Sequence, residues 1–336
     1  MILQQERKWN RPNAGSGQVI ILDGLTGTGK TMLMRLIDTL PNLSAPRFDY
    51  QLEQLCIAIS ENKLELNAGI QLLQLLFDQR QYDLKIAREV NFRPSDLSSV
   101  LNSTKKFDYI KSLLRSDENV SLQKKDAIFF VVHQLLLATK CFDHITSREF
   151  KKILAVRHPY YLFDHWVSYV GAHGASPRDF TITVGKECAF PWFVKENADL
   201  YCKGSTENKA AVAISELINE QEMYLKSEPN IFVVDFEKFV LEPSGFLTDL
   251  SQFMELSFKD ISRVLRKEKL PRTHINDSKH LKVYHRYNSN LLTNQYNHKE
   301  DYSKLRKRLS ETLSRPFFNM LESAAWTYED RFGLWF

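Results

Sequence analysis

The sequence predicts an α/β fold with a parallel sheet, a helical insertion and a helical C-terminal extension. Three observations carry that expectation. Four short apolar runs are each followed by a stretch with helical spacing, the pattern of strands buried on both faces by covering helices. About eighty residues, Ser44 to Lys125, separate the first run from the second and are rich in Leu, Gln, Glu and Lys at helical spacing, too long a segment for a plain loop. The last part of the chain, after a basic stretch, has an amphipathic pattern.

In chain order, the first run is Val19 to Asp23, followed by a helix over Thr31 to Leu40 whose apolar positions are Met32, Leu33, Leu36, Ile37 and Leu40. The second strand spans Ala127 to His133, with a helical stretch through about Ile145. The third spans Lys152 to Val156, with a helix from Tyr161 to about Val170. The fourth spans Asn230 to Asp235 and leads through Glu242-Pro243 into a helix over Gly245 to Leu256. The chain then turns basic and His-rich from Arg263 to Arg286 and ends in an amphipathic helix over about Tyr302 to Tyr328. No internal repeat or low-complexity tract interrupts it.

Gly24 to Thr31 reads Gly-Leu-Thr-Gly-Thr-Gly-Lys-Thr, directly after the first strand and before its helix. That is a complete phosphate-binding loop in its proper context. Glycines let backbone N–H groups turn inward, the helix adds its positive N-terminal end, and Lys30 supplies a cation. The alternative is a Gly-rich turn without a ligand. With the loop included, the expected architecture is a three-layer P-loop fold, one domain over 1–336, with the insertion at 44–125 and a basic loop and helices at 257–336.

In open parallel sheets ligands lie outside the carboxyl ends of the strands, which here carry Asp23, His133, Arg157 and Asp235. Arg157-His158-Pro159 is the most informative. A guanidinium at a strand end, with proline opening the next helix, suits a second phosphate away from the first loop. An Arg-x-Pro by itself also describes a helix-opening turn with a surface ion pair.

This constellation resembles the sulfotransferases that use 3′-phosphoadenosine 5′-phosphosulfate (PAPS). The residues that carry the resemblance are the loop after the first strand, Arg157-x-Pro159 with a serine on the following helix, and Val233-Val234-Asp235-Phe236-Glu237-Lys238-Phe239 followed by Glu242-Pro243 and a helix holding Leu250, Phe253 and Met254. The match covers about half of the chain. Gly69 to Leu76 and Arg88 to Pro94 also look like the acceptor region of bacterial members. Two positions depart from the family pattern. The loop cation occupies the kinase-like place, Gly27-Thr28-Gly29-Lys30-Thr31, and the family serine is replaced by His165, with Ser168 one turn further on.

The resemblance implies transfer of a sulfuryl group from PAPS to a hydroxyl, with a carbohydrate or glycolipid as acceptor. It implies that Gly27, Thr28, Gly29, Lys30 and Thr31 hold the 5′-phosphate, that Lys30 stabilises the charge growing on it, and that Arg157 with Ser168 or His165 holds the 3′-phosphate. His133 resembles the strand-end histidine that takes the acceptor proton; a histidine capping a buried strand is the other reading of it. Arg272 and its basic neighbours resemble a loop that covers the cofactor, against a merely solvated basic face. Arg88, Asn91, Arg93 and Asp96 are candidates to line the acceptor pocket, with structural ion pairs as the alternative. Trp166, Trp192, Trp326 and Trp335 are read as packing residues.

The rival readings are an ATP-dependent small-molecule kinase, in which Asp235 would orient magnesium, and a nucleotide-binding switch. Neither an arginine-rich lid nor a guanine-specific Asn-Lys-x-Asp is present in the sequence. A net charge of +4 gives no polyanion-binding signature, so no nucleic-acid partner is expected. Cys56, Cys141, Cys188 and Cys202 have no metal-type spacing and no evident pairing, which argues against a zinc site and a disulfide framework and suggests a reducing cytoplasm. No run approaches the roughly eighteen apolar residues of a membrane span. Oligomeric state is left open.

Overall fold

A computed structural model describes residues 9, 17–94, 96, 98–114, 127–175, 179–258, 260–261, 264 and 297–336. The first described elements are β1, Val19–Asp23, and α1, Lys30–Ile37. A short β2, Arg47–Phe48, precedes three helices of the insertion: α2, Tyr50–Ser60, α3, Leu66–Lys85, and α4, Lys106–Leu113. Next come β3, Ile128–Val131, β4, Phe150–Val156, and α5, Pro159–Gly171. A small hairpin of β5, Thr183–Val184, and β6, Phe190–Pro191, is followed by α6, Ala198–Lys203, and α7, Thr206–Ser227. Then follow β7, Phe232–Asp235, α8, Phe236–Leu241, α9, Pro243–Met254, α10, His298–Thr312, and α11, Arg315–Phe332.

Among the described residues the sheet has five strands, in the order β2-β3-β1-β4-β7. β1 and β2 both pair in parallel with β3, with Val19 opposite Ile128 and Arg47 opposite Phe130. Every residue of β1 and of β3 is buried, which is why these segments read as continuous apolar runs rather than alternating ones. The architecture is therefore the expected α/β one, with a parallel sheet, a helical insertion and C-terminal helices.

The chain divides into two compact units. The first comprises Met1–Asp23, Thr31–Ile153 and Ser251–Lys259. Within it α2 packs on α3, and a small cluster of Ala45, Ala87, Val100 and Tyr109 closes the insertion. The Tyr109 hydroxyl accepts the Ala45 N–H at 2.8 Å. α2 opens on Asp49, which accepts the N–H groups of Gln51 and Leu52 and pairs with buried Arg80 at 2.8 Å. The second unit comprises Gly24–Lys30, Leu154–Leu250 and Asp260–Phe336. α7 is its spine, packing against both α5 and α11.

Four details differ from the sequence reading. The stretch after the second strand is two 3-10 turns, Leu136–Thr139 and Cys141–His144, because Lys140 between them takes a left-handed conformation with φ 55°. The terminal helix is two helices, broken where Leu313 and Ser314 are extended ahead of Pro316, whose missing N–H fits a helix start and not its interior. The long helix α7 and the edge strand β2 are additional. Finally, Cys188 and Cys202 form a disulfide, which corrects the expectation of unpaired cysteines. The β5–β6 hairpin and α6 fold that segment back until the two Cα atoms are 6.1 Å apart, a proximity that linear spacing does not display. The reducing-compartment expectation loses that part of its support. Among the described residues, no helix is long and apolar enough to cross a membrane.

Candidate functional site

The loop Gly24–Lys30 is shaped by contacts that leave no space for side chains. Gly24 has φ +134°, and a Cβ there would lie 2.1 Å from the Ala155 carbonyl oxygen. Gly29 has φ +87°, and a Cβ would lie 2.4 Å from the Phe236 ring. Only glycine meets both demands. Between them a tight turn is closed twice, since the Thr28 N–H and hydroxyl both donate to the Leu25 carbonyl, at 3.2 and 2.8 Å. The Trp166 indole N–H, from α5, donates to the Thr26 carbonyl at 2.9 Å. Trp166 is thus both a packing residue, edge-on to Tyr169 and Phe193, and a brace for the loop.

Lys30 is almost buried, and its ammonium donates to the carbonyls of Gly24 and Leu25, the latter at 2.9 Å. The cation thus rests on the loop's own backbone. An incoming phosphate would exchange neutral carbonyl acceptors for an anionic one, the stronger partner for an ammonium. Thr31, half-buried, stands in the first turn of α1.

Arg157 directly follows β4 and is held on three sides. Its Nη1 donates to the Gly27 carbonyl at 2.9 Å, its guanidinium lies 4.5 Å from the centre of the Phe236 ring, and its Nε is 3.8 Å from Glu237 Oε1. The sequence suggested an anion site away from the loop; the structure puts this arginine on the loop itself. His165, half-buried on α5, faces Gly27, where a Cβ would meet its ring at 3.0 Å. Ser168 is exposed and turns back to the Asp164 carbonyl at 3.1 Å. Of the two residues the sequence left open, His165 is therefore the one beside the loop.

Behind Arg157 lies a buried polar layer. His158 caps α5, its Nδ1 accepting the Tyr160 N–H at 3.3 Å while its Nε2 is 3.0 Å from Glu329 on α11. Burial pushes the His158 imidazole down from its ordinary value. Fully buried Glu237 accepts the His158 N–H at 3.2 Å and the Tyr328 hydroxyl at 3.0 Å. Burial pushes its carboxyl up to about 7. Asp235 caps α8 by accepting the Lys238 N–H at 3.2 Å, receives the Tyr328 hydroxyl at 3.1 Å and pairs with the Lys238 ammonium at 3.5 Å.

In the first unit, His133 follows β3 and stands in an aromatic corner. Its ring stacks on Tyr50 at 4.8 Å with planes 11° apart and tilts against Phe48 at 4.9 Å. Nδ1 is 2.8 Å from Glu53 Oε1, the same oxygen that accepts the His133 backbone N–H at 3.2 Å, and Nε2 is 3.4 Å from the Tyr50 hydroxyl. About a third of the imidazole side chain is open to solvent. Asp23, at the end of β1, is fully buried and accepts the Leu137 N–H at 2.6 Å, a structural duty.

The four acceptor-side candidates do not lie on a helix, as the insertion's periodicity suggested, but in the connection after α3. Asn91 and Asp96 shape that connection. Asn91 accepts the Arg93 N–H and donates to Ser98 Oγ, at 3.0 and 3.1 Å, and Asp96 accepts both the N–H and the hydroxyl of Ser98 at 3.0 Å. Arg93 is exposed, and Arg88 lies 3.8 Å from Asp83 and 5.5 Å from the Tyr82 ring. Arg272 lies outside the described residues.

Glu53, Tyr50, Phe236, Glu237 and Tyr328 were not singled out as site residues by the sequence reading. Phe236 and Glu237 stood in its motif, directly after a strand end. Nothing local marks Glu53, which reaches His133 across eighty positions of chain.

No family model matches the chain, and no curated protein matches it. Among solved structures, the chain is similar to the sulfotransferase domain of the Synechococcus PCC 7002 olefin synthase, at 13% identity and a TM-score of 0.42 over 96% of this chain and 98% of that one. It is similar to the sulfotransferase STF9 of Mycobacterium avium at 12% identity and a TM-score of 0.39, covering 90% of this chain and 78% of that one. A mouse sulfotransferase, SULT7A1, solved in complex with PAP, aligns at 12% identity and a TM-score of 0.33 over 93% of this chain and 91% of the other. These are likenesses in outline, and the chemistry has to come from this chain's own residues.

Proposed function

We propose that this protein is a sulfotransferase that carries a sulfuryl group from PAPS to a hydroxyl of a carbohydrate or glycolipid. The observation that carries the reading is Arg157 on the phosphate loop: with Lys30 it brings two cations to one cradle, which suits a nucleotide with phosphates at both its 5′ and 3′ positions. The loop's backbone suits a phosphate, since Gly24 and Gly29 let it take positive φ angles that other residues rarely adopt. PAPS would supply the sulfuryl group and the anionic leaving group. Lys30 would neutralise the charge that grows on the 5′-phosphate, and Arg157 with His165 would recognise the 3′-phosphate. His133 would receive the acceptor proton at an imidazole nitrogen.

A kinase reading keeps one favourable fact, the complete Gly-x4-Gly-Lys-Thr pattern. Against it, the Asp235 carboxylate is committed to a helix cap, a tyrosine hydroxyl and a lysine. Calorimetric titration with adenosine 3′,5′-bisphosphate and, separately, with magnesium ATP tests the choice. The expected result is preference for the bisphosphate, weakened about 10- to 100-fold by Arg157→Ala, the loss of one buried charge-assisted contact. Preference for magnesium ATP with no effect of Arg157→Ala would overturn it.

A further inference from the structure

We propose that Glu53 is the positioning residue of His133, fixing the imidazole with its proton on Nδ1 so that Nε2 is the nitrogen that accepts a proton. The inference rests on the reading of His133 as the proton acceptor and adds the group that makes it one. A single carboxylate oxygen, Oε1 of Glu53, stands 2.8 Å from Nδ1 and 3.2 Å from the His133 backbone nitrogen. Both nitrogens must present hydrogens to it. Were the ring protonated on Nε2 instead, a bare Nδ1 would face a carboxylate oxygen at that distance, lone pair against lone pair. The carboxylate therefore selects the tautomer, in the way that the partner of one imidazole nitrogen sets the state of the other.

The orientation is also fixed mechanically. Stacking on Tyr50 and the tilted contact with Phe48 stop the ring from rotating about its Cβ bond. Tyr50 and Glu53 sit three residues apart on α2, so they share a face and hold ring plane and ring edge from one rigid element. Glu53, mostly buried, also stabilises the imidazolium that forms once Nε2 takes a proton. In the transfer step the acceptor oxygen forms its bond to sulfur, the bond from sulfur to the 5′-phosphate oxygen breaks with its electron pair leaving on the phosphate, and the hydroxyl proton moves to Nε2.

The test reads the tautomer directly. In histidine-labelled protein at pH 8, nitrogen–proton correlation spectra should show His133, identified by the signals lost in His133→Asn, with Nδ1 protonated and Nε2 bare. Glu53→Ala should move those signals toward the Nε2-protonated form that free imidazole favours, whereas Glu53→Gln, which keeps an acceptor oxygen, should retain the Nδ1-protonated form. With PAPS and octyl glucoside as the hydroxyl acceptor, kcat should fall about 10- to 100-fold in Glu53→Ala and KM for PAPS should stay within about two-fold. A wild-type ring protonated on Nε2, or signals unmoved in Glu53→Ala, would overturn the positioning role. A tautomer shift in Glu53→Ala with full transfer by His133→Asn would uphold Glu53's hold on the ring and sink the proton-acceptor reading instead.

Discussion

The Gly24–Lys30 loop and the His133 corner are built by opposite means. The loop is contiguous: Gly24 to Lys30 carries its turn, its glycines and its cation within seven residues, and its supports lie at two other strand ends and on the first helix after one of them. The corner is assembled from afar, with Tyr50 and Glu53 reaching His133 across 83 and 80 positions. A contiguous site tolerates little, because each residue is at once backbone geometry and chemistry. An assembled site can lose one contact and keep its fold.

That contrast ranks the expected effects. The largest belongs to Lys30. Lys30→Ala removes the cation that would meet the leaving phosphate, and transfer from PAPS should fall about 10³-fold, the scale seen when one preorganised charge donor is lost. Lys30→Arg should not restore it, because the ammonium fits between two carbonyls where a planar fork does not. Transfer by Lys30→Ala at near wild-type rate would remove the loop from the chemistry.

Outside the loop, the disulfide should have the next effect. Cys188 and Cys202 close a loop at a separation of 14 residues, which corresponds to about 3 kcal/mol in the chain-entropy account. Thermal unfolding with and without reductant, and for Cys202→Ser, should show the loss. The purified protein should titrate two thiols under denaturation without reductant, from Cys56 and Cys141, and four with it. Four in both cases would place the protein as isolated in its reduced form and restore the expectation of a reducing compartment.

Gly29→Ala tests the contiguous site through its backbone. The added methyl must meet the Phe236 ring at 2.4 Å from a positive φ, a cost of about 1–3 kcal/mol. Gly29→Ala combined with Phe236→Leu should recover part of that loss, which a melting curve measures. No recovery would assign the whole cost to the backbone angle and none to crowding.

How much could be read in advance follows the same division. β1, the loop, the end of β4 and the strand that leads to Asp235 were legible because short apolar runs with punctuating Gly, Arg-x-Pro and acid residues encode their own structure. The His133 corner was half legible, since the histidine could be named from its place at a strand end while Glu53 stood unmarked among the Leu, Gln and Glu residues of the insertion. The four acceptor-side residues were misplaced for a related reason. Helical periodicity through Lys85 gives no sign that the chain then takes positive φ at Ala87 and Glu89 and leaves the helix. The Cys188–Cys202 pairing was invisible because it depends on a hairpin of two-residue strands, too short to carry a pattern.

The smallest expected effect lies in the layer that supports Arg157, and its sign can be worked out. Burial holds the Glu237 carboxyl at about 7, above its usual 4.5. Between those values the folded chain keeps a proton that the unfolded chain has lost, so this group's contribution to stability declines as pH rises from about 5 to about 7.5. His158 acts in the opposite sense: with its imidazole pushed down by burial, the unfolded chain binds the extra proton, and stability is lost as pH falls below its ordinary value of 6.5. The two slopes partly cancel in the wild type, so the useful quantity is a difference. Glu237→Gln keeps an acceptor oxygen for the His158 N–H and offers the Tyr328 hydroxyl oxygen an amide N–H, but it cannot ionise. Its melting temperature relative to wild type should therefore climb steadily from pH 5 to pH 7.5. A difference that stays flat across that window would mean that Glu237 is already ionised at pH 5, held so by Arg157 in spite of its burial, and would make that ion pair, rather than the neutral acid, the support of the arginine.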